Sequence, residues 1–350
     1  MAGMIPSLYA LIATFVLLFS SRGASQDTLR FPDETHLANI RQLTFGGENA
    51  ETYLSFGGDR LIFQSTRDTF RCDQIFTMDL EGRGTTLRST GSGRTTCSYF
   101  LPGDSTFIYS STRGHGPECP ERPDYSMGYV WAVYPTYDIW VRDLTGGEPK
   151  ILSASDGYDA EATVSPLGDR IVFTSSRDGD LELYSMKIDG SDVARLTHEI
   201  GYDGGAFYSA DGKKILYRAN HPSDSAGIAD FQSLLGRGLV RPSVMEIQLM
   251  NADGSDKQQL TNFGAASFAP YFYPDGKQIV FASNMKDPKG RNFDIFLLNI
   301  DGSGLTQITF NDSFDGFPVF TADGKQMIFS SNRNARVRGE TNVFIADWIP

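Results

Sequence analysis

Residues Tyr273–Asn284 have the sequence YPDGKQIVFASN, and the chain contains six copies of this segment, with variations, that indicate its fold. The other copies are TADGKQMIFSSN from Thr321, SADGKKILYRAN from Ser209 and SPLGDRIVFTSS from Ser165, with the more divergent SFGGDRLIFQST from Ser55 and LPGDSTFIYSST from Leu101. The turn residue falls at positions 58, 104, 168, 212, 276 and 324, at intervals of 46, 64, 44, 64 and 48 residues. A repeat of this length is typical of solenoids and propellers.

Each repeat contains four short strand-like segments, which the third copy shows well. Polar and apolar residues alternate over 161–165 (strand A), and β-branched and aromatic residues follow at 171–173 (strand B). A run at 183–186 (strand C) and the pair Leu196-Thr197 (strand D) enclose the turn Asp189-Gly190. Asp-Gly between such runs is the strongest short hairpin signal, because glycine accepts the positive φ angle that the turn requires. Repeated four-stranded units predict a β-propeller.

The two ends of the chain predict that the propeller is closed. The last repeat has a C strand at Asn342–Asp347 but no D strand before Pro350, whereas Ile40–Thr44 has the D-strand pattern with no strands A to C ahead of it. Pairing these segments in one blade removes two exposed sheet edges. We therefore expect an all-β fold, a six-bladed β-propeller of four-stranded antiparallel blades, closed by the N-terminal strand that completes the last blade.

The repeat motif SPDG-x-x-I-x-F-x-S-x-R, followed by I-Y, Asp-Gly and L-T, resembles the TolB-type propeller repeat over residues 40–348. This resemblance implies the fold rather than one activity, because propellers carry unrelated functions. Orthodox TolB also has an α/β domain ahead of its propeller, and residues 26–39 are too few to form one. We therefore expect a TolB-like propeller without that N-terminal domain.

The first 25 residues resemble a secretory signal peptide. Ile5–Phe19 is an uncharged apolar run, and the mostly small residues SSRGAS follow it. A retained membrane anchor is the alternative, although a span usually needs about 20 apolar residues. We expect a signal peptide over 1–25, a leader over 26–39 and the propeller over 40–350, exported to the periplasm or the extracellular space without stable membrane insertion after cleavage.

Charge and composition exclude two classes of protein. The chain carries 31 Lys and Arg against 43 Asp and Glu, a net charge of −12 at pH 7. This balance excludes nucleic acid as the main partner, because phosphate binding needs a basic surface. Aromatic residues make up 12% and charged residues 21%, which excludes a disordered chain.

Two long insertions, at about residues 114–137 and 221–244, fall in loops between strands B and C. Both therefore rise from the same face of the propeller, which we call the top face. The first is rich in tyrosine and tryptophan, whose rings suit contact with a sugar, a peptide or another protein. The alternative is that these rings pack on one another and hold the loop down. The second is expected to contain a short helix at 224–235 that docks on the propeller.

The loops between strands D and A line the channel mouth on the top face and carry several carboxylates. We expect an acidic floor that favours a partner with Lys or Arg, or a channel-bound cation such as calcium. Each aspartate taken alone is also a common turn cap. Together with the insertions, these loops give the candidate ligand-binding residues Glu51, His115, Tyr129, Trp131, Tyr134, Asp159, Glu161, Asp203, His221, Arg241 and Asp315.

Cys72, Cys97 and Cys119 map to the top face and are disulfide candidates in an exported protein. A bond from Cys119 to either of the other two would staple the first insertion. No Cys-x-x-Cys pair and no clustered histidines accompany them, so the sequence predicts no zinc site and, apart from the alternative of a channel-bound cation, no cofactor.

These features favour an exported, non-catalytic binding or scaffold propeller that recognises a protein segment or an envelope glycan on the top face. The sequence contains no Gly-x-Ser-x-Gly and no His-Glu-x-x-His motif. The alternative is a propeller lyase or hydrolase that acts on polysaccharide through top-face carboxylates, His115 and His221. A hydrolase would need paired carboxyl groups about 5 to 10 Å apart.

Overall fold

A computed structural model describes residues 29–350, so the predicted signal peptide lies outside the described residues. The described chain folds into six antiparallel sheets of four strands each, which confirms the predicted blades. The innermost strand of each blade contacts the innermost strands of its two neighbours, including those of the first and last blades, so the ring is closed. Within this part of the chain no helix has the length and apolar character needed to cross a membrane.

The strands follow the repeats in chain order. Blade 1 contains β2–β5, blade 2 contains β6, β7, β9 and β10, blade 3 contains β11–β14, blade 4 contains β15, β16, β18 and β19, blade 5 contains β20–β23, and blade 6 contains β24–β26 with β1. Their bounds are β1 (Leu37–Gln42), β2 (Glu48–Leu54), β3 (Arg60–Thr66), β4 (Gln74–Asp79), β5 (Thr86–Leu87), β6 (Thr95–Phe100), β7 (Thr106–Ser111), β8 (Trp131–Ala132), β9 (Asp138–Asp143), β10 (Gly146–Ser153), β11 (Asp159–Val164), β12 (Arg170–Ser175), β13 (Glu182–Lys187), β14 (Ala194–Arg195), β15 (Tyr202–Tyr208), β16 (Lys214–Asn220), β17 (Leu239–Val240), β18 (Glu246–Asn251), β19 (Gln258–Gln259), β20 (Ser267–Phe272), β21 (Gln278–Ser283), β22 (Asp294–Asn299), β23 (Thr306–Gln307), β24 (Asp315–Phe320), β25 (Gln326–Ser331) and β26 (Asn342–Trp348).

The N-terminal strand closes the ring as predicted, although it lies slightly earlier in the chain than the pattern suggested. The strand β1 pairs antiparallel with β26, where Leu37 faces Trp348 and Gln42 faces Phe344. The predicted segment 40–44 overlaps the second half of β1, and Leu43 still donates its backbone N–H to Val343 O at 2.8 Å. Closure therefore satisfies the edge of β26 with backbone hydrogen bonds from the other end of the chain.

Hydrophobic packing fills the spaces within and between the blades. The three central residues of each strand B, such as Ile171, Val172 and Phe173, are completely buried. In blades 1, 3, 5 and 6 the aromatic residue of strand B also meets a ring of strand C, as Phe173 meets Tyr184 with centroids 5.8 Å apart. The β-branched and aromatic runs that identified the repeats thus form the core of each blade.

A buried ion pair fixes the start of the inner strand in blades 3 and 6. In blade 3 the guanidinium of Arg177, just after strand B, donates to both carboxylate oxygens of Asp159 at 3.2 and 3.1 Å. In blade 6 Arg333 donates to Asp315 Oδ2 at 2.9 Å. Both aspartates have no exposed surface, and a buried carboxylate is costly unless it is paired. We call this contact the clamp.

The clamp changes in composition in blades 1 and 4. In blade 1 Arg67 donates to the amide oxygen of Asn49 at 3.1 Å. In blade 4 a histidine takes the place of the arginine, and His221 Nε2 lies 2.9 Å from Asp203 Oδ1. Blade 4 is therefore the blade in which a buried aspartate faces an imidazole rather than a permanent cation.

The two insertions are joined on the top face. The first contains short 3-10 turns at Arg113–His115 and Tyr125–Met127 and the strand β8, and the second contains α1 (Ser225–Leu235) and the strand β17. The strands β8 and β17 pair antiparallel, so the insertions of blades 2 and 4 form one wall. Asp224 caps α1 by accepting the backbone N–H of Gly227 at 2.8 Å, so the predicted helix at 224–235 is confirmed with its first residue as the cap.

A disulfide between Cys72 and Cys119 ties the first insertion to blade 1. Cys97 is a buried thiol. The bond spans 47 residues of sequence and fixes the insertion at a point far from β8. The first insertion is therefore held at both ends, by a covalent bond on one side and by a strand pair on the other.

Closure predicts a difference between two leucine substitutions. Leu37 in β1 is completely buried, whereas Leu87 in the outer strand β5 is 36% exposed. Leu37→Ala should lower the free energy of unfolding by about 2 to 5 kcal/mol, because it leaves a cavity at the closing strand. The control Leu87→Ala should change it by less than about 0.5 kcal/mol. Denaturant unfolding measures both, and equal small losses would show that β1 contributes little to the fold.

Candidate functional site

Each of the six inner strands carries a β-bulge at the same point, where the register with strand B shifts. The first bulged residue has a left-handed backbone, with φ between 48° and 58°. This conformation is uncommon for residues other than glycine and re-aims the side chain. Six residues, which we call the bulge ring, occupy this position and line a narrow cavity of about 20 Å³ in the channel: Glu51, Cys97, Glu161, Gly205, Ala269 and Phe317.

One half of the bulge ring is polar. Glu51, Cys97 and Glu161 come from the neighbouring blades 1, 2 and 3, and the other members are small or apolar. Burial raises the pKa of Glu51 to about 7, against the lowering effect of its hydrogen bond with the Cys97 thiol. Burial also raises the pKa of the Cys97 thiol well above its usual value. At neutral pH the ring thus holds a thiol beside a carboxyl group that is close to half protonated.

Arg218 of strand β16 fills the place next to Glu161 in the ring. A Cβ atom at Gly205 would lie 2.1 Å from Arg218 Nη1, so the glycine is what admits the guanidinium. Arg218 forms an ion pair with Glu161 and donates to the Tyr202 hydroxyl at 2.6 Å. Glu161 also accepts the Tyr202 hydroxyl at 2.9 Å. The charges of Arg218 and Glu161 are therefore satisfied within the floor itself.

A cavity of about 820 Å³ opens above the bulge ring. Four ring members form its floor, and the joined insertions form one wall, where Trp131 Nε1 donates to the Tyr129 hydroxyl at 2.9 Å. The guanidinium of Arg218 lies over the indole of Trp131, with Arg218 Cζ 5.3 Å from the centroid of the indole ring. The rest of the lining includes aromatic and loop residues of blades 5 and 6, namely Phe268, Asn284, Pro288, Lys289, Gly290, Arg291, Phe293, Ser313 and Phe314. These residues meet the wall of the insertions where Phe268 packs edge-on against Trp131, with ring centroids 6.3 Å apart.

Four of the predicted site residues line this cavity: Glu51, Tyr129, Trp131 and Glu161. The three aspartates Asp159, Asp203 and Asp315 lie outside it, because each is buried in the clamp of its blade. The floor is therefore a mixture of an ion pair and a neutralisable acid, not the uniformly acidic surface expected from the sequence.

The remaining predicted residues belong to the insertions and do not line the cavity. His115 is exposed, with Nε2 3.8 Å from Asp138 Oδ2. The Tyr134 hydroxyl donates to Glu121 O at 2.7 Å. Arg241 donates to Asp230 Oδ2 and to the backbone carbonyl of Met127 at 3.0 Å. His221 belongs to the blade 4 clamp.

Sequence reasoning missed Arg218, although a signal for it exists. In the repeat that begins at Ser209, ILYRAN places an arginine where the other copies have Gln64, Ser110, Thr174, Ala282 and Ser330. A lone charge inside a buried strand needs a partner, and a comparison of the copies would have singled it out. The aromatic residues of blades 5 and 6 were missed because they resemble ordinary core residues.

The chain is similar in sequence to known propeller proteins. The family model described as the TolB beta propeller domain matches residues 127–236 and 240–347. The uncharacterized peptidase YuxL of Bacillus subtilis is 28% identical over 170 residues, which cover 43% of this chain and 26% of that protein. An uncharacterized protein of Agrobacterium fabrum is 27% identical over 150 residues, which cover 41% of this chain and 42% of that protein. The matches thus span less than half the length of these relatives.

Solved structures share the fold at low identity. The putative TolB of Agrobacterium tumefaciens has a TM-score of 0.56 and 18% identity, with 89% of this chain and 97% of that chain covered. An oligogalacturonate lyase in complex with manganese has a TM-score of 0.52 and 14% identity, with 89% and 93% covered. At these identities the likeness shows the fold alone, and this fold serves TolB proteins as well as enzymes.

The raised pKa of Glu51 predicts that the free energy of unfolding depends on pH. The unfolded carboxyl ionises near its ordinary value of 4.5, whereas the folded one stays protonated up to about 7. The folded state therefore binds more protons in this window, and its stability falls as the pH rises from about 4.5 through 7. Glu51→Gln has no carboxyl group to ionise at this position, so it should abolish this contribution to the decrease in the free energy of unfolding.

The matched control is Glu48→Gln, on the exposed first residue of the same strand. Denaturant unfolding at several pH values between 5 and 8 gives the slope for the parent and both variants. We expect a flatter profile for Glu51→Gln alone. A Glu51→Gln profile parallel to that of the parent would show that Glu51 is ionised in the folded protein across this window.

Proposed function

The chain belongs to the TolB β-propeller family, and from this premise we propose that it is an exported binding module that takes a short, largely apolar protein segment into the top-face cavity. The observation that carries the proposal is the wall formed by β8 and β17, which builds a deep aromatic cavity over the bulge ring. A concave, mostly apolar site with a few convergent polar groups is the usual form of a ligand pocket.

The chemistry of the lining favours a protein segment over a glycan. Three polar groups of the floor, Glu161, Arg218 and Tyr202, already bond to one another, which leaves Glu51 as the other carboxyl group of the floor. A sugar needs free donors and acceptors for its hydroxyl groups, whereas an apolar or aromatic side chain needs only the ring faces that this cavity offers. Binding should therefore depend mainly on apolar contact, in contrast to the basic partner expected from the sequence.

Export is part of the proposal. The predicted signal peptide over residues 1–25 supports it, and so does the disulfide between Cys72 and Cys119, since such bonds persist in the periplasm and outside the cell. The partner would then be a protein of the cell envelope or its surroundings.

Binding can be tested with a random-peptide library panned on the immobilised chain. The affinity of a selected peptide is then measured for Trp131→Ala and for the control Tyr125→Ala, an aromatic residue of the same insertion that is 55% exposed and does not line the cavity. Trp131→Ala should weaken binding by about 30-fold or more, the loss of a central anchor worth about 2 kcal/mol. Tyr125→Ala should bind as the parent does.

Thermal unfolding of both variants checks that the fold is retained. A peptide that binds Trp131→Ala as tightly as the parent would place the binding surface elsewhere. An oligosaccharide array is probed in parallel. If the chain binds oligosaccharides and no peptide, the ligand of this cavity is a glycan and the proposal of a protein segment is wrong.

A specific observation also favours the catalytic alternative, a lyase or hydrolase that acts on polysaccharide. Glu51, with its pKa raised to about 7, and Glu161, paired with Arg218, lie on the same cavity floor in different environments. Carboxyl groups held in unlike environments are typical of acid–base catalysis. His115, expected as a participant, does not line the cavity.

If the protein is such an enzyme, it should release new reducing ends or unsaturated products from one member of a polysaccharide panel. Glu51→Gln should then lower the rate by about 100-fold, the usual value of a general acid or base, while Glu48→Gln leaves it unchanged. Absence of product from every polysaccharide, together with a peptide that binds the parent, would exclude this alternative and support the binding module.

A further inference from the structure

The junction of blades 3 and 4 carries a cluster of ionisable groups that the top-face cavity does not include. Donor atoms of Glu199, Asp203 and His221 all lie within 4.8 Å of one another. Glu199 lies in the loop between the blades, Asp203 in the inner strand β15, and His221 at the start of the second insertion. None of the three lines the cavity.

The comparison with other blades shows what is missing at this junction. The Arg177 guanidinium reaches both oxygens of Asp159, and Arg333 reaches Asp315 Oδ2. The imidazole of His221 offers Asp203 one nitrogen, at 2.9 Å from Oδ1. Blade 4 thus lacks the cation that serves both carboxylate oxygens in blade 3. In blade 6 the second oxygen, Asp315 Oδ1, accepts from the Asn311 amide at 3.4 Å, and blade 4 has no such donor to Asp203 Oδ2 among the described residues.

Two buried carboxylate oxygens at this junction are orphaned. Asp203 Oδ2 and Glu182 Oε2 have no hydrogen-bond partner among residues 29–350, and both residues have no exposed surface. The hydroxyl of Thr197 lies near both carboxylates but has only one proton to donate. A buried carboxylate oxygen without a donor is costly, and a bound water molecule or a metal ion is a usual way to satisfy it.

Other cations at the junction are already engaged. Arg195 donates to the second oxygen of Glu182, Oε1, at 2.8 Å. Lys257 Nζ lies 3.6 Å from Glu199 Oε1, in a contact whose carboxylate is half exposed. Asp203 retains only His221, which carries a charge only when it is protonated.

We propose that Glu199, Asp203 and His221 bind a divalent transition-metal ion, in the position that an arginine takes in the clamps of blades 3 and 6. One imidazole and two carboxylates form a usual donor set for Zn²⁺ or Mn²⁺. Ligand atoms of a tetrahedral zinc site are about 3.3 Å apart. The three donors lie within 4.8 Å of one another and His221 Nε2 is 2.9 Å from Asp203 Oδ1, so side-chain rotations that move the donors by about 1 to 2 Å would bring them to that spacing. Glu199 and His221 are partly exposed, which gives an ion access from solvent.

Such an ion would connect three parts of the molecule: the loop from blade 3, the inner strand of blade 4 and the start of the insertion that carries α1 and β17. Because β17 holds β8 and therefore Trp131, the ion would stiffen the wall of the cavity without contacting its ligand. The proposal does not depend on what the cavity binds.

Calorimetric titration of the chelator-treated full chain with Zn²⁺ tests the site, with Mn²⁺ and Ca²⁺ as further probes. We expect one Zn²⁺ per chain and a melting temperature that rises with the metal concentration. His221→Arg restores the clamp of blades 3 and 6 and should fold normally, while its Zn²⁺ affinity falls by about 100-fold or more. The control His115→Arg changes the other top-face histidine, which has only Asp138 beside it, and should bind as the parent does.

Glu199→Gln is a second variant, at an exposed side chain where folding is not at risk, and its Zn²⁺ affinity should fall by about tenfold or more. It decides the matter alone if His221→Arg does not fold. The proposal is overturned if the parent binds none of the three metals, if it binds Ca²⁺ alone, or if either junction variant binds Zn²⁺ as tightly as the parent.

Discussion

The backbone pairing of β1 with β26 brings the two ends of the described chain into one blade, and the geometry of the channel depends on it. Inner strands of neighbouring blades contact each other all the way round, so the six bulges converge on a common axis. Glu51 in blade 1 and Phe317 in blade 6 meet in the floor only because the ring is closed. In an open array the cavity would not have a complete floor.

The fold could be predicted from the sequence because the repeats carry its determinants locally. The Asp-Gly turns, the runs such as Ile171–Phe173 and the unpaired segment at 40–44 each specify a strand or a turn without reference to distant residues. The top-face position of both insertions followed from antiparallel topology. Their joining through β8 and β17 did not, because a pair of two-residue strands has no sequence pattern of its own.

The candidate site could be predicted only in part, because its properties depend on pairs of residues far apart in sequence. Glu51 and Glu161 were predicted from their loops, but the Arg218 partner of Glu161 comes from another blade. The left-handed backbone of Glu51, Cys97 and Phe317 leaves no trace in residue type, since these residues rarely adopt it. Asp159 and Asp315 were expected in the floor because the sequence does not show that each forms a buried ion pair with an arginine.

The strand pair β8–β17 passes over blade 3, since one strand belongs to blade 2 and the other to blade 4. Adding or removing a unit between blades 2 and 4 would pull the two halves of the bridge out of reach of each other. The number of blades between the insertions is thus fixed by the bridge.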